Sequence, residues 1–264
     1  MKKYLVIGNP IEHSLSPKLH NFWMKKHNIN AFYEKEKILD SDLKDLIKKI
    51  QSGDISGINV TVPFKKKIIN YLDKLSPGSE ITQSVNTVCL NGKKLIGYNT
   101  DIDGFELAIK DINFDFSNKK ILILGAGGVV PSIIFALKKL KSQHIIVSNR
   151  TKEKAEDLKN LFKDIEITNW GDVPDFDLII NATSIGLKYN EKINLDLSKI
   201  SKGKFFYDVI YNPKETNFLK EAKKLGNKTE NGRKMFIYQA AAAFELWHKI
   251  RPEIDENVNV LLND

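Results

Sequence analysis

The chain has 264 residues, 42% of them hydrophobic, which suffices for one large domain or two modest ones with proper cores. Its net charge of +8 is spread as lysine along the whole length without aromatic interleaving, a pattern that argues against a nucleic-acid binder. A single cysteine, Cys89, excludes an internal disulfide and a multi-thiolate metal site and points to a reducing compartment. The basic tip at Lys2 and Lys3 leads into an apolar run too short for a signal peptide, broken at Gly8. No stretch is long enough to span a bilayer, so a cytoplasmic protein with no membrane partner is expected.

The first hundred residues alternate strand and helix signals. Residues 4–7 read as a short strand, and 17–27 as a helix with Ser16 as N-cap and Pro17 in its first turn. Residues 31–37 are extended. Residues 41–51 carry Leu43, Leu46, Ile47 and Ile50 at helical spacing behind a Ser41 cap. A strand at 57–62 stops at Pro63, and a helix follows at 66–75. Residues 85–90 and 94–97 form a hairpin across Asn91–Gly92, and a helix at 103–112 leads into the centre of the chain.

That centre opens on its most informative stretch. Residues 121–124 are apolar and run into Gly125, Ala126, Gly127 and Gly128, with a helix beginning around Val129. A buried strand ending in a glycine-rich turn and entering a helix is the phosphate-binding half of a dinucleotide fold, although Val130 stands where a third small residue is usual. The next strand, 145–147, ends at Asn149, Arg150 and Thr151, with Lys154 close behind. NAD-selective folds place an acidic residue here. An arginine, one of only three in the chain, instead offers a bidentate grip on a phosphate, which indicates NADP. A helix at 152–162 and strands at 177–181 and 205–209 continue a right-handed parallel sheet. The tail from 232 to 264 is helical in pattern and is expected to pack back on the first domain.

Several clusters remain. They are the run from Gly8 to Pro17, Gly57 to Lys65, Val85–Asn86–Thr87, Gly97 to Asp101, Asn181 to Gly186, Asp208 to Pro213, and Gly232 to Met235 with Gln239, Phe244 and Trp247. In order and spacing, over essentially the whole chain, the set resembles the shikimate dehydrogenase family. The resemblance implies two α/β domains with a cleft between them. A substrate-binding catalytic domain is expected at 1–102 and 233–264, and a Rossmann-type NADP domain at 103–232. It implies reversible reduction of 3-dehydroshikimate to shikimate with NADPH, on the route to chorismate and the aromatic amino acids.

By the same resemblance, Lys65 and Asp101 are the catalytic pair. Hydride delivery to a ketone leaves an alkoxide that needs a proton donor. Which of the two moves the proton stays open, although a nearby carboxylate favours a charged Lys65 acting as acid. Ser14 and Ser16 resemble the serines that bind the substrate carboxylate, with Tyr211 a further hydroxyl near it. Thr61, Asn86 and Gln239 resemble residues that contact substrate hydroxyls, and Asn59 belongs with them. Neutral amides suit a polyol because each offers donor and acceptor together. Gly125, Ala126, Gly127, Gly128 and Val129 resemble the pyrophosphate loop, and Asn149, Arg150, Thr151 and Lys154 the NADP-selective loop. Thr183, Ser184, Val209 and Gly232 line the nicotinamide end. His13 and His20 have no metal-ligand spacing and are read as structural. The partner is a small molecule, and the chain is a monomer or homodimer. The alternatives are a relative that also takes quinate or uses NAD, and a non-catalytic NADP-binding protein, against which the intact Lys65 and Asp101 argue.

Overall fold

The computed structural model describes every residue except Tyr189, Lys199 and Asp264. The chain divides into two compact units, Met1–Gly104 with Ile237–Asp264, and Phe105–Phe236.

In the first unit the elements run β1 (Lys2–Gly8), α1 (Ser16–Lys26), β2 (Ala31–Lys37), α2 (Leu43–Ser52), β3 (Gly57–Val60), β4 (Lys74–Leu75), α3 (Pro77–Thr82), β5 (Thr87–Asn91), β6 (Lys94–Tyr98) and the start of α4 (Thr100–Lys110). The strands form one sheet in the order β2-β1-β3-β5-β6-β4. β1 is parallel to β2 and β3, whereas β5 is antiparallel to β3 and β6. Leu5, Ile7, Ile58, Val60, Val88 and Leu95 pack with Leu46, Ile47 and Ile50 of α2 in one core cluster. Each such side chain contributes about 1.5–3 kcal/mol by leaving water. The tail supplies α8 (Arg233–His248) and α9 (Glu256–Leu261), and α8 from Ile237 onward belongs to this unit. Its Trp247 indole donates to the carbonyl of Val88 at 3.1 Å.

Several local expectations are corrected. Ser16 is the first residue of α1 rather than its cap. Its own N–H donates to Ser14 Oγ at 3.4 Å, so Ser14 takes part of the capping duty. Ser41 does not cap α2 either. A 3-10 turn over Asp40–Asp42 precedes it, closed by Leu39 N–H donating to Asp42 at 2.7 Å. The helix expected at 66–75 shrinks to a 3-10 turn, Lys67–Tyr71, before the short strand β4. The chain is drawn into the sheet there because Asp73 N–H donates to Leu95 O at 3.0 Å while its carboxylate accepts from Leu95 N–H at 2.7 Å. The expected strand at 57–62 ends at Val60, and α3 went unseen in the sequence.

The second unit continues with β7 (Lys120–Leu124), α5 (Val130–Lys139), β8 (His144–Ser148), α6 (Lys152–Leu161), β9 (Glu166–Thr168), β10 (Leu178–Asn181), β11 (Phe205–Asp208), α7 (Asn217–Lys224) and β12 (Lys228–Asn231). All six strands are parallel, in the order β12-β11-β10-β7-β8-β9. The strand order reverses between β7 and β10, and ligands of such sheets bind beyond the carboxyl ends of the strands at that point. Leu122, Leu124, Ile179 and Phe206 form the floor against Phe218 and Leu219 of α7. β9, β12 and α7 were not foreseen, being short or strongly polar. No helix among the described residues is long and apolar enough to cross a membrane.

One buried side chain of the first unit carries a pH dependence. His20 is fully buried, stacks on Tyr33 at 4.3 Å and has no partner at either ring nitrogen. Burial, then the neighbouring His248, pushes its pKa down to about 3. His248 itself is pushed down to about 4 by burial, then by Lys2 and His27. A histidine kept neutral in the fold contributes stability above its unfolded pKa of about 6.5 and loses it as pH falls toward the folded value. Urea unfolding should therefore show wild-type stability declining from pH 7 to pH 5. His20→Phe should lose about 2 kcal/mol less over that interval, and equal losses would discard this account.

Candidate functional site

Of three consecutive lysines, only Lys65 is withdrawn from solvent, its side chain 12% exposed. Buried Phe64 and Ile68 anchor the turn on either side, and Val85 N–H donates to the Lys65 carbonyl at 2.9 Å. Lys67 points away and pairs with Asp40. Asp101 sits in the first turn of α4, where the positive end of the helix favours a carboxylate. The two meet with Lys65 Nζ 2.5 Å from Asp101 Oδ2, and the Asp101 side chain is only 9% exposed. Removing one member of so withdrawn a pair strands the other charge, at a cost of about 3–5 kcal/mol.

Asn86 aims the carboxylate. Its Nδ2 donates to Asp101 Oδ1 at 3.0 Å and to Thr100 Oγ1 at 2.9 Å. Its Oδ1 accepts from Thr100 N–H at 2.8 Å and Thr87 Oγ1 at 3.0 Å. Asn59 is tied in beside it, donating to Asn86 O at 3.1 Å and Thr87 Oγ1 at 2.9 Å while accepting from the Tyr33 hydroxyl at 2.6 Å. Both carboxamides therefore spend both N–H bonds inside the protein. Ser14 and Ser16 lie together at the start of α1. Thr61 follows β3, its N–H donating to Ile7 O at 2.9 Å. Gln239 lies on α8, within the same unit. Thr87, Thr100 and Tyr33 were not singled out from the sequence. The two threonines stood inside the quoted motifs, whereas nothing marked Tyr33.

The second unit holds the other cluster. Gly125 has φ +112°, and a Cβ there would lie 2.9 Å from the Ala182 carbonyl, so the loop after β7 abuts the loop after β10. Gly127 and Gly128 are exposed, and α5 starts without a capping side chain. Pro131 falls within its first turn. An open glycine backbone at an uncapped helix start fits a dinucleotide pyrophosphate. Arg150, Thr151 and Lys154 are exposed at and beyond the end of β8, with Asn149 Nδ2 donating to Thr151 O at 2.6 Å. Neither Arg150 nor Lys154 forms an ion pair among the described residues, which suits cations meant for a ligand phosphate. Gly232 is placed by a close approach: a Cβ would lie 1.9 Å from the Val209 carbonyl. Tyr211 stacks on Phe236 at 4.4 Å. Among the described residues no group of three His, Cys, Asp or Glu side chains is placed to hold a metal, and His13 is exposed.

Asp208, at the end of β11, ties the surrounding loops together. It accepts from Asn181 Nδ2 at 3.0 Å, Ile210 N–H at 3.0 Å and Thr216 Oγ1 at 2.6 Å. Asn181 in turn accepts from Thr183 N–H at 3.0 Å and Thr183 Oγ1 at 2.7 Å. Burial pushes the Asp208 pKa up to about 6 despite the three donors.

Comparison with known proteins gives one family over nearly the whole chain. Residues 6–88 match the shikimate dehydrogenase substrate binding domain, 106–216 the shikimate / quinate 5-dehydrogenase domain, and 232–256 the shikimate 5'-dehydrogenase C-terminal domain. A shikimate dehydrogenase (NADP(+)) of Pelagibacter ubique is 60% identical over 98% of each chain. The crystal structure of shikimate dehydrogenase from Aquifex aeolicus superposes with a TM-score of 0.92 at 36% identity, covering 100% of this chain and 98% of that one. The Thermus thermophilus enzyme, solved in complex with NADP(H) and shikimate, gives 0.87 at 31% identity over 96% and 95% of the two chains.

A carboxylate whose pKa is raised by the fold holds its proton there longer than in the unfolded chain. The cost of its charge therefore appears as pH rises from about 4 through about 6. Asp208→Asn keeps the shape and removes that charge. It should raise stability by about 3 kcal/mol at pH 8, with the gain fading toward pH 4 in denaturant titrations. A variant less stable at every pH would contradict this.

Proposed function

The chain belongs to the shikimate dehydrogenase family, and from that premise we infer that it interconverts 3-dehydroshikimate and shikimate with NADP(H), a step toward chorismate and the aromatic amino acids. When bound, NADPH supplies the hydride that reduces the ketone. The observation that carries the residue assignment is the withdrawn ion pair of Lys65 and Asp101. Lys65, as an ammonium, gives its proton to the alkoxide oxygen that forms as the ketone is reduced. Asp101 keeps the ammonium aimed, and Asn86 keeps Asp101 aimed. In the reverse direction the neutral amine form of the same lysine takes the hydroxyl proton.

Ser14, Ser16 and Tyr211 receive the substrate carboxylate, and Thr61, Asn86 and Gln239 its hydroxyls. Asn59 serves as a frame, its N–H bonds spent inside the protein, and Asn86 takes a substrate hydroxyl in exchange for one of its internal partners, since its N–H groups and its Oδ1 are already engaged. Gly125, Ala126, Gly127, Gly128 and Val129 hold the pyrophosphate. Arg150 and Lys154, with Asn149 and Thr151, hold the phosphate on the adenosine ribose, which selects NADP over NAD. Thr183, Ser184, Val209 and Gly232 frame the nicotinamide end. The enzyme works as a monomer or homodimer in the cytoplasm, a setting that suits a chain with one unpaired cysteine.

NADP reduction in the presence of shikimate, followed by absorbance, tests the activity. Quinate and NAD run in parallel test its selectivity. Lys65→Ala should still bind shikimate while kcat falls about a hundredfold or more, and near-normal turnover would remove Lys65 from the mechanism. Arg150→Ala should raise KM for NADP about tenfold and leave KM for NAD unchanged. Equal effects on the two cofactors would take the ribose phosphate away from Arg150.

A further inference from the structure

We propose that Asn181, at the end of β10, and Asp208, at the end of β11, are a positioning pair that presets the loops framing the nicotinamide end of the cofactor site. The proposal rests on the family reading of Thr183, Ser184, Val209 and Gly232 and adds two residues that this reading does not include.

The argument is one of hydrogen-bond polarity. An ionised carboxylate only accepts, so Asp208 Oδ1 fixes which end of the Asn181 carboxamide faces it: Nδ2 donates, at 3.0 Å. The same Nδ2 donates to the Ile185 carbonyl at 3.2 Å. Asn181 Oδ1 is thereby turned to Thr183, and accepts from its N–H at 3.0 Å and its hydroxyl at 2.7 Å. Having given its only proton, Thr183 Oγ1 accepts from Ile185 N–H at 3.1 Å. The turn from 181 to 185 is closed on one carboxamide, and the Thr183 hydroxyl is spent inside it.

The same carboxylate oxygen holds a second loop. Asp208 Oδ1 accepts from Ile210 N–H at 3.0 Å, and the Ile210 carbonyl accepts from Gly232 N–H at 3.2 Å. Asp208 Oδ2 has separate work, accepting from the Thr216 hydroxyl at 2.6 Å. One oxygen therefore ties together three segments, and those segments carry all four residues read at the nicotinamide end. The 181–185 turn also abuts the glycine loop: a Cβ on Gly125 would lie 2.9 Å from the Ala182 carbonyl and 3.1 Å from the Thr183 methyl. Asn181 and Asp208 are both 0% exposed, so water does not replace a lost link, and a lost acceptor leaves buried donors bare. Both act through the loops they hold. Hydride transfer is sensitive to small displacements of the reacting ring, and that ring is what these loops frame.

The test is Asn181→Ala in the full-length enzyme at pH 8, with 2'-phospho-ADP-ribose, which is NADP without its nicotinamide, as a second probe. In shikimate oxidation kcat/KM for NADP should fall about tenfold or more, while calorimetry shows the nicotinamide-free probe binding within about twofold of wild type. Asp208→Leu should give the same split. Asp208→Asn should restore wild-type values to within about twofold, because its oxygen still meets Asn181 and Ile210 while the Thr216 hydroxyl turns to accept the new N–H. An unchanged kcat/KM in Asn181→Ala would overturn the proposal. So would an equal weakening of the nicotinamide-free probe, which marks a merely structural role, or an Asp208→Asn enzyme as impaired as Asp208→Leu. Should Asn181→Ala and Asp208→Leu not fold, amide hydrogen exchange of the wild type decides. The Thr183 and Ile210 N–H groups, which donate to the two side chains, should already exchange about a hundredfold or more slower than unstructured amides in cofactor-free enzyme. Faster exchange that slows only when NADP is added overturns the presetting. Absence of shikimate oxidation by the wild type would sink the family activity itself, and the exchange measurement would still decide the fate of the Asn181–Asp208 pair.

Discussion

An ammonium and a carboxylate held 2.5 Å apart, each about nine-tenths withdrawn from water, constrain everything around them in the first unit. Such a pair is stable only if both partners stay in place and the remaining lone pairs are satisfied. Asn86 meets the second carboxylate oxygen, Thr87 and Thr100 meet Asn86, and Asn59 meets Thr87. The helix start at α4 adds its dipole on the same side. The backbone serves this arrangement too: β3, β5 and β6 lie side by side, so residues far apart in the chain, 59, 86 and 101, fall within hydrogen-bond reach.

The second unit answers a different demand. On the reading proposed above, it offers backbone to a phosphate-rich ligand and still holds its loops in place. The first need is met by glycines beyond β7 and a helix start with no capping side chain. The second is met by a buried aspartate that carries a cost. Asp208 gathers Asn181, Ile210 and Thr216 at the ends of the central strands, and burial there pushes its pKa up to about 6. Local stability is given up where loops must be framed around a ligand, a familiar trade in enzymes. Gly232 belongs to the same design, since the Val209 carbonyl leaves no room for any side chain.

The architecture was legible where its signals are local. The strand–glycine–helix run at 121–134, the hairpin across Asn91–Gly92 and the helical spacing at 43–50 all appear in the structure at those places. Errors fell where tertiary contacts overrode propensity. The segment after Lys66 has helical composition, but Asp73 and Leu95 exchange hydrogen bonds that pull it into the sheet. Ser16 has the look of a cap, yet it is the first residue of α1 and its N–H donates to Ser14 Oγ at 3.4 Å. The short strands β9 and β12 have few apolar residues and exist because a neighbouring strand edge is there to pair with.

The order and spacing of motifs in the amino-acid sequence determined the family, the parallel nucleotide-binding half and the identity of the charged pair, because chemistry of that kind needs particular side chains at particular turns. Folding alone decided that Lys65, and neither Lys66 nor Lys67, leaves the solvent, and that Asn59 and Asn86 spend their N–H bonds inside the protein. It also decided that a tyrosine with no motif around it donates to Asn59, at 2.6 Å. Burial and hydrogen-bond direction depend on what packs from distant parts of the chain, and linear spacing carries no record of that.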